Sequence, residues 1–435
     1  MNFLGSEAYL LSLGNEVEAM KLGLANIRTL LTALGAPQNN YLKVQVAGTN
    51  GKGSVCAFLD SICNTAGIKT GTFTSPHLVS ITERIRINGV YISEDDFARH
   101  ATIVRETLEN LLVKGELEYR PTFFEQITAV ALIAFAEARV EVAILETGLG
   151  GRLDATTAAN AEIAAITRID LDHQEYLGDT LEQITAEKAA IITSETRDVV
   201  LGAQSPEVMR LLRKHCNDLG IELLNDEKGP WRILRNDDGT VKVILSLLDL
   251  PPIRLGLKGH HQVENAQTAL QTARALLNHG FFSNFEHGEE EVRIVDALQK
   301  ARHPGRLEYH GKYLFDGAHN VGGARALREF LDDSVDQPLT IIFGAMKDKS
   351  VNEILEILWP KATRIILTKP NNERALTAEQ IAAFVPENYD RLKIVRTETV
   401  ADAIERAEEE VGENGIILVT GSLYLVGEVK KILNN

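Results

Sequence analysis

Short apolar runs alternate along this chain with longer stretches whose apolar positions recur at helical spacing. Residues 1–40 read as helical segments leading into a turn at Gly35-Ala36-Pro37, and residues 42–47 read as a strand. A helix follows through VCAFLDSICNTAG and is expected to stop near Gly67, where glycine supplies a left-handed cap. Ile68 to Phe73 reads as the next strand, and Pro121 starts a long helix through 122–138. Val142 to Leu145 and Ile163 to Ile169 are further apolar strands, the first ending at Glu146 and the second near Asp170 and Asp172. Strands that alternate with helices and end in charged residues predict a largely parallel sheet covered by helices. Its site is expected outside the carboxyl ends of the strands.

The pattern changes over residues 220–255, where KGPWRILRNDDGTVKVILSLLDL predicts short antiparallel strands joined by an Asp-Gly turn. A helix begins near His261 and continues through ALQTARALLNHG. Residues 301–306, ARHPGR, read as an interdomain linker because proline and glycine break both neighbouring elements. Beyond it a fresh strand and helix pattern appears: YLFD, a glycine-rich turn, a helix over 322–332, then strands in LTIIFGAM, RIILTK and GIILVTG.

The most informative local chemistry lies in VQVAGTNGKGS, residues 44–54. It reads as a strand, a glycine-rich loop and the start of a helix. Glycines let a backbone close around a phosphate without Cβ clashes, and a helix N-terminus offers unpaired N–H donors to the same anion. Gly48, Thr49, Asn50, Gly51 and Gly53 would form the cradle, Lys52 would reach the outer phosphates, and Ser54 would ligand Mg²⁺. This predicts ATP chemistry rather than nicotinamide chemistry. The spacing is unusual, because the common pattern would place its first glycine at Val46 and an extra Gly53 separates Lys52 from Ser54. The plain alternative is a flexible glycine turn with a surface lysine. The expected fold class is therefore α/β: a P-loop NTP-binding parallel-sheet domain over 1–300, the linker at 301–306, and a second, smaller Rossmann-like α/β domain over 307–435.

Composition narrows the partners. A chain of 435 residues suits two or three domains. The net charge of −16, from 45 basic and 61 acidic residues, argues against nucleic-acid binding through overall charge, while leaving room for a local basic pocket. Cys56, Cys63 and Cys216 form neither a disulfide framework nor a CxxC pair, which fits a reducing cytoplasm. No signal-peptide pattern and no apolar run of transmembrane length is visible, so no membrane partner is expected.

Ten short motifs then occur in order: AGTNGKGS at 47–54, TSPHL at 74–78, PTFFE at 121–125, ETGLGGRLDAT at 146–156, LDH at 171–173, EKA at 187–189, HQVENA at 261–266, PGR at 304–306, DGAHN at 316–320 and GSLYLVGEV at 421–429. Together they make the chain resemble the folylpolyglutamate synthase and dihydrofolate synthase family, within the Mur-like amide ligases, over nearly its whole length. The resemblance implies that ATP activates a carboxylate as an acyl phosphate and that the amine of L-glutamate attacks it, giving an amide, ADP and phosphate. The implied acceptors of glutamate are dihydropteroate and dihydrofolate or tetrahydrofolate derivatives. The Ser-Pro-His-Leu form of the substrate loop looks more like bacterial dihydrofolate synthases and bifunctional enzymes, so both reactions are expected. A monofunctional synthase of either kind is the nearest alternative, and a monomer is the expected state.

The same resemblance implies residue roles. Ser54, Glu146 and His173 would hold Mg²⁺; Lys188 would be carbamylated near a second magnesium, and a monovalent cation is compatible with the family. Lys52, Lys188, Asp316 and His319 are the catalytic candidates, the last two organising phosphate and glutamate when the second domain closes over ATP. Gln262, Asn265 and Arg306 would contact the nucleotide. Ser75, Pro76, His77 and Arg84 belong to the pterin and substrate loop, with Phe124 as an apolar wall and Glu125 as a positioned carboxylate. Each has a plain reading as well: a core phenylalanine, a capping polar group, an exposed helix lysine, a salt-bridged arginine. Two departures stand out. Arg168-Ile169-Asp170 replaces the family's common Asn-Ile-Gly, with Arg168 able to compensate Asp170, and Val321 replaces a proline, which predicts a less rigid loop. A cell-wall Mur-type ligase would need an additional uridine-binding domain for which the residues before Gly48 leave little room. A non-enzymatic ATP-dependent switch would bind ATP without glutamate-dependent ADP release.

Overall fold

The structure is a computed structural model that describes residues 1–14, 23–221, 223, 231–235, 240–244, 252–282, 289–385 and 389–434. The chain packs as two compact units. The first comprises Met1–Leu171, Leu177–Gly229 and Glu264–Ala301; the second comprises Asp172–Tyr176, Pro230–Val263 and Arg302–Asn435.

The first unit is built on a seven-stranded sheet. Its strands are β1 (Leu42–Ala47), β2 (Thr70–Phe73), β3 (Ile85–Ile87), β4 (Val90–Tyr91), β5 (Val142–Glu146), β6 (Ile163–Ile166) and β7 (Asp198–Leu201). They lie in the order β4-β3-β2-β5-β1-β6-β7, parallel from β2 to β7, with β3 and β4 added antiparallel at one edge. Every residue of β5 and β6 is buried, as expected for parallel strands covered on both faces. Register aligns the carboxyl ends that matter: Val46 lies opposite Glu146 on one side and Ala165 on the other.

The expected helix behind Pro121 spans Phe123–Ala138, with Thr122 and Glu125 forming a capping box at its start and Arg139 in a left-handed cap at its end. Its Phe135 ring packs directly over Gly71, where a Cβ would collide with it. The strand expected from Ile68 begins at Thr70, and the one expected to reach Ile169 stops at Ile166. The second truncation has a physical cause. Thr167 N still pairs with Ala47 at the end of β1, but beyond it the Thr167 side chain and the Arg168 carbonyl bond the loop after β1, and Ile169 N donates to the Gln204 side chain.

In the second unit, β8 (Arg232–Arg235), β9 (Val241–Ile244) and β10 (Ile253–Arg254) form a small antiparallel sheet. The Asp-Gly turn expected between the first two lies outside the described residues. The larger sheet has β11 (Glu308–His310), β12 (Tyr313–Phe315), β13 (Leu339–Phe343), β14 (Arg364–Leu367), β15 (Ile394–Arg396) and β16 (Ile416–Thr420), in the order β11-β12-β16-β13-β14-β15. Only β11 runs antiparallel to its neighbour, so this unit is a second open, mostly parallel α/β sheet. The helix expected over 322–332 spans Val321–Ser334, capped by the Asn320 side chain on the Gly323 amide. Among the described residues, no helix is long and apolar enough to cross a membrane.

Candidate functional site

The loop after β1 turns at Gly48 (φ +151°) and Gly51 (φ +89°), and the helix Lys52–Thr65 starts immediately. Both positions require glycine: a Cβ on Gly48 would overlap the Thr167 side chain, and one on Gly51 would run into the Asn265 amide. The strip 167–170 is laced to this loop. Thr167 N donates to Ala47 O at 2.7 Å, Thr49 N and Asn50 N donate to Arg168 O at 2.8 and 3.3 Å. Thr167 Oγ1 donates to Asn50 O at 2.7 Å, and Thr49 Oγ1 bonds both the amide and the carbonyl of Asp170. Lys52 folds back along the loop, its Nζ donating to Gly48 O at 3.2 Å and Thr49 O at 3.3 Å. Lys188, only 4 % exposed, donates to Gly48 O at 2.9 Å.

Glu146 closes β5 beside this loop, is 5 % exposed, and accepts from Ser75 N at 3.1 Å. Ser54 is buried in the first turns of the helix, and the buried Thr147 Oγ1 has no hydrogen-bond partner among the described residues. A carboxylate and hydroxyl oxygens are the donors a hard divalent cation takes, so the residues at this strand end fit such an ion. Asp154 sets the loop that follows: it accepts from Gly148 N at 2.8 Å, Leu149 N at 3.0 Å and Thr156 N at 3.0 Å.

The loop after β2 is held by Glu83, which accepts from the amides of Leu78, Val79 and Ser80 at 2.8, 2.9 and 2.9 Å. The Ser75-Pro76 bond is cis. Arg84, almost fully buried, lies over the Phe123 ring and donates from Nε to His77 Nδ1 at 2.8 Å. That bond leaves the proton of the neutral ring on Nε2. Burial, reinforced by Arg84, pushes the His77 pKa down to about 3. Phe124 packs under Gly148 and against Phe73, in the core. Glu125 is engaged in the capping box, accepting from Thr122 N at 2.8 Å, and burial raises its pKa.

In the second unit, Asp316 is buried and accepts from Leu307 N and Ala318 N, both at 3.0 Å, so it ties the turn carrying Arg306 to the DGAHN loop. Burial raises its pKa against the opposing pull of Arg306. Gln262 Nε2 lies 3.0 Å from His261 Nε2. His319 Nδ1 donates to Gly317 O at 2.7 Å, and burial with Lys349 nearby pushes its pKa down to about 4. His173, in a left-handed conformation (φ +49°), presents Nε2 to Lys349 Nζ at 3.1 Å. Burial and then Lys349 push its pKa down to about 3, the neutral form a metal-ligating imidazole needs. Asp172 is the hub: Lys349 Nζ donates to one carboxylate oxygen at 2.7 Å and Asn320 Nδ2 to the other at 2.8 Å. Burial works against its ionisation, but Lys349 outweighs it and holds the carboxyl far below the usual carboxylate range. The Val321 substitution therefore does not leave the DGAHN turn unsupported, because Asn320 bonds both Asp172 and the following helix.

Two family models match the chain: the Mur ligase middle domain over residues 46–273, and the Mur ligase glutamate ligase domain over residues 305–423. The dihydrofolate synthase/folylpolyglutamate synthase of Bacillus subtilis (strain 168) is 33% identical over 432 residues, covering 95% of each chain. The chain belongs to the dihydrofolate synthase and folylpolyglutamate synthase family of Mur ligases. A structure of Mycobacterium tuberculosis folylpolyglutamate synthase complexed with ADP superposes with a TM-score of 0.88 at 30% identity, covering 100% of this chain and 98% of that one. A bifunctional folylpolyglutamate synthase/dihydrofolate synthase with Mn, AMPPNP and L-glutamate bound gives 0.82 at 27% identity, covering 100% and 98%. The chain is thus an enzyme of the ATP-dependent ligase class. Within this ligase family fold, Lys349, Asp348, Glu83 and Asp154 are organising residues that sequence reasoning did not single out. Lys349 and Asp348 sit in MKDKS, between exposed neighbours, with their own side chains largely withdrawn from solvent.

Proposed function

We propose that this ligase joins L-glutamate to dihydropteroate and to reduced folates, using ATP and releasing ADP and phosphate through an acyl phosphate. The observation that carries the reading is the convergence, at the aligned ends of β1 and β5, of the phosphate loop, Lys52, buried Lys188 and Glu146. The bound ADP, AMPPNP, Mn and L-glutamate named for its relatives support nucleotide, divalent cation and amino-acid binding here. Gly48 to Ser54 cradle the phosphates, and Lys52 offsets their charge. Ser54, Glu146 and His173 hold Mg²⁺, which supplies charge neutralisation on the transferring phosphoryl group. Carbon dioxide adds to the Lys188 amine, releasing a proton and leaving a carbamate. Gln262, Asn265 and Arg306 serve the nucleotide, and Asp316 and His319 the phosphate and glutamate. The His77–Arg84 loop serves the pterin substrate, and the double activity rests on the resemblance of that loop to bifunctional relatives.

The test supplies purified enzyme with Mg·ATP, L-glutamate and either dihydropteroate or a reduced monoglutamyl folate, with mass detection of product beside ADP. Product from both acceptors supports bifunctionality; product from one selects a monofunctional enzyme. ATP turnover independent of glutamate, with neither amide formed, refutes the reading. Isotope-labelled bicarbonate followed by carbon NMR tests Lys188, with Lys188→Met as the blank.

A further inference from the structure

The strip that clasps the phosphate loop carries two charged side chains at its rim. Arg168 gives its carbonyl to the amides of Thr49 and Asn50, and Asp170 gives both its backbone groups to Thr49 Oγ1. Their backbones are therefore fixed against the loop, and their side chains pair with each other. The pairing is lopsided. Arg168 uses only Nε, at 3.2 and 3.4 Å from the two Asp170 oxygens. Its terminal nitrogens make no hydrogen bond among the described residues, and the side chain is 52% exposed. A guanidinium recognises phosphate best through its terminal N–H groups, as a planar fork. Here that fork is unspent, because the Asp170 carboxylate meets Nε alone. A surface arginine elsewhere would mean little; this one sits one hydrogen-bonded strip from Lys52.

We infer that Arg168 is a further nucleotide-recognition residue, which binds the polyphosphate of a nucleoside triphosphate, and that the Asp170 carboxylate competes with that ligand for its positive charge. This rests on the proposed use of ATP. The two substitutions act in opposite directions on one quantity. Arg168→Ala removes an exposed charge-assisted contact and raises KM for ATP roughly five- to tenfold, with kcat nearly unchanged, while Arg168→Lys restores part of the loss. Asp170→Asn removes the competing carboxylate, lowers KM for ATP about twofold, and makes it more sensitive to added salt. The experiment is steady-state kinetics over a range of ATP at fixed acceptor and glutamate, with calorimetric binding of AMPPNP. Lys52→Ala is the reference. If Arg168→Ala and Asp170→Asn bind AMPPNP like the parent while Lys52→Ala does not, Arg168 is a surface ion pair and the inference falls with the ATP site intact. If both Arg168 and Asp170 variants weaken binding, the pair is structural and the inference also falls. If Lys52→Ala binds normally, the phosphate-loop assignment itself fails.

Discussion

Gly51→Ala isolates the geometry of the phosphate loop. Gly51 ends the loop in a left-handed conformation, φ +89°, and its carbonyl receives Val55 N as the first helical bond, at 2.9 Å. An alanine there costs about 1–2 kcal/mol for the left-handed backbone alone. A second cost follows from position, because the new Cβ would run into the Asn265 side-chain oxygen and lie 3.1 Å from its Cγ. Asn265 must therefore rotate away, losing the orientation assigned to nucleotide contact; one lost hydrogen bond is worth about 1 kcal/mol, or roughly a fivefold rise in KM for ATP. Thermal unfolding of the first unit should fall by about 2–4 °C for each kcal/mol. The two costs separate in a cycle with Asn265→Ala. Adding Gly51→Ala on that background should retain the backbone penalty and lose the steric one. Melting and ATP titration of all four proteins decide it. A Gly51→Ala protein that melts and binds like the parent would refute the geometry. An unchanged penalty on the Asn265→Ala background would refute the clash.

Three further outcomes follow from the same contacts. Lys52→Ala should reduce ligation sharply while the melting curve stays close to the parent, because among the described residues the lysine bonds only its own loop carbonyls; unaltered ligation would remove it from the phosphate site. Glu83→Ala frees three backbone amides and should loosen the Ser75–Leu78 loop, raising KM for the pterin substrate several-fold with KM for ATP little changed, whereas Glu83→Gln keeps part of the hold. Equal effects on both constants would show that the loop does not serve the pterin side. His77 is held neutral in the fold, its pKa pushed down to about 3 by burial and Arg84. The unfolded chain binds its proton below about pH 6.5, so the stability His77 contributes is complete above that pH and is lost as the pH falls toward 3. Melting of His77→Gln should therefore be less sensitive to acidification from pH 7 to pH 5 than that of the parent; identical slopes would contradict this.

The elements that read clearly in the sequence are those whose signal is local. The Val44–Ser54 run shows a strand, its turn and its helix start within a few residues, and the buried β5 run ends in a charged residue where the sheet places its carboxyl edge. The polar organisation was much less legible. Lys349 meets Asp172 across 177 positions, and no periodicity marks either one as buried. Glu83 looks like one more charge in ITERIR until its three amide partners are seen. Glu125 carries two messages at once. PTFFE matches a family motif, but Thr122 followed three residues later by Glu125 is also the sequence of a capping box, and the capping bonds are the ones the fold displays. Strand ends suffered from the opposite problem. Ile163 to Ile169 looks continuous in hydropathy, while the Thr167 side chain and the Arg168 carbonyl are diverted to the loop after β1.

That diversion accounts for the irregular spacing of the loop. In the common pattern a glycine would stand at Val46, but Val46 is inside β1, buried and paired with Glu146 and Ala165. Glycine there would weaken the strand and open nothing. The turn is made at Gly48 instead, where the side chain of Thr167 leaves no room for a Cβ. Thr49 N and Asn50 N then go to the Arg168 carbonyl, so those two amides are spent on the protein. The start of the Lys52–Thr65 helix, where Lys52 and Ser54 also sit, offers further donors for an anion. On the proposed function, the helix N-terminus would therefore supply much of the phosphate cradle formed by Gly48 to Ser54. The strip 167–170 braces residues 47–50, just before that helix, and so holds the charges of Arg168 and Asp170 beside the loop whose ATP binding they are inferred to tune.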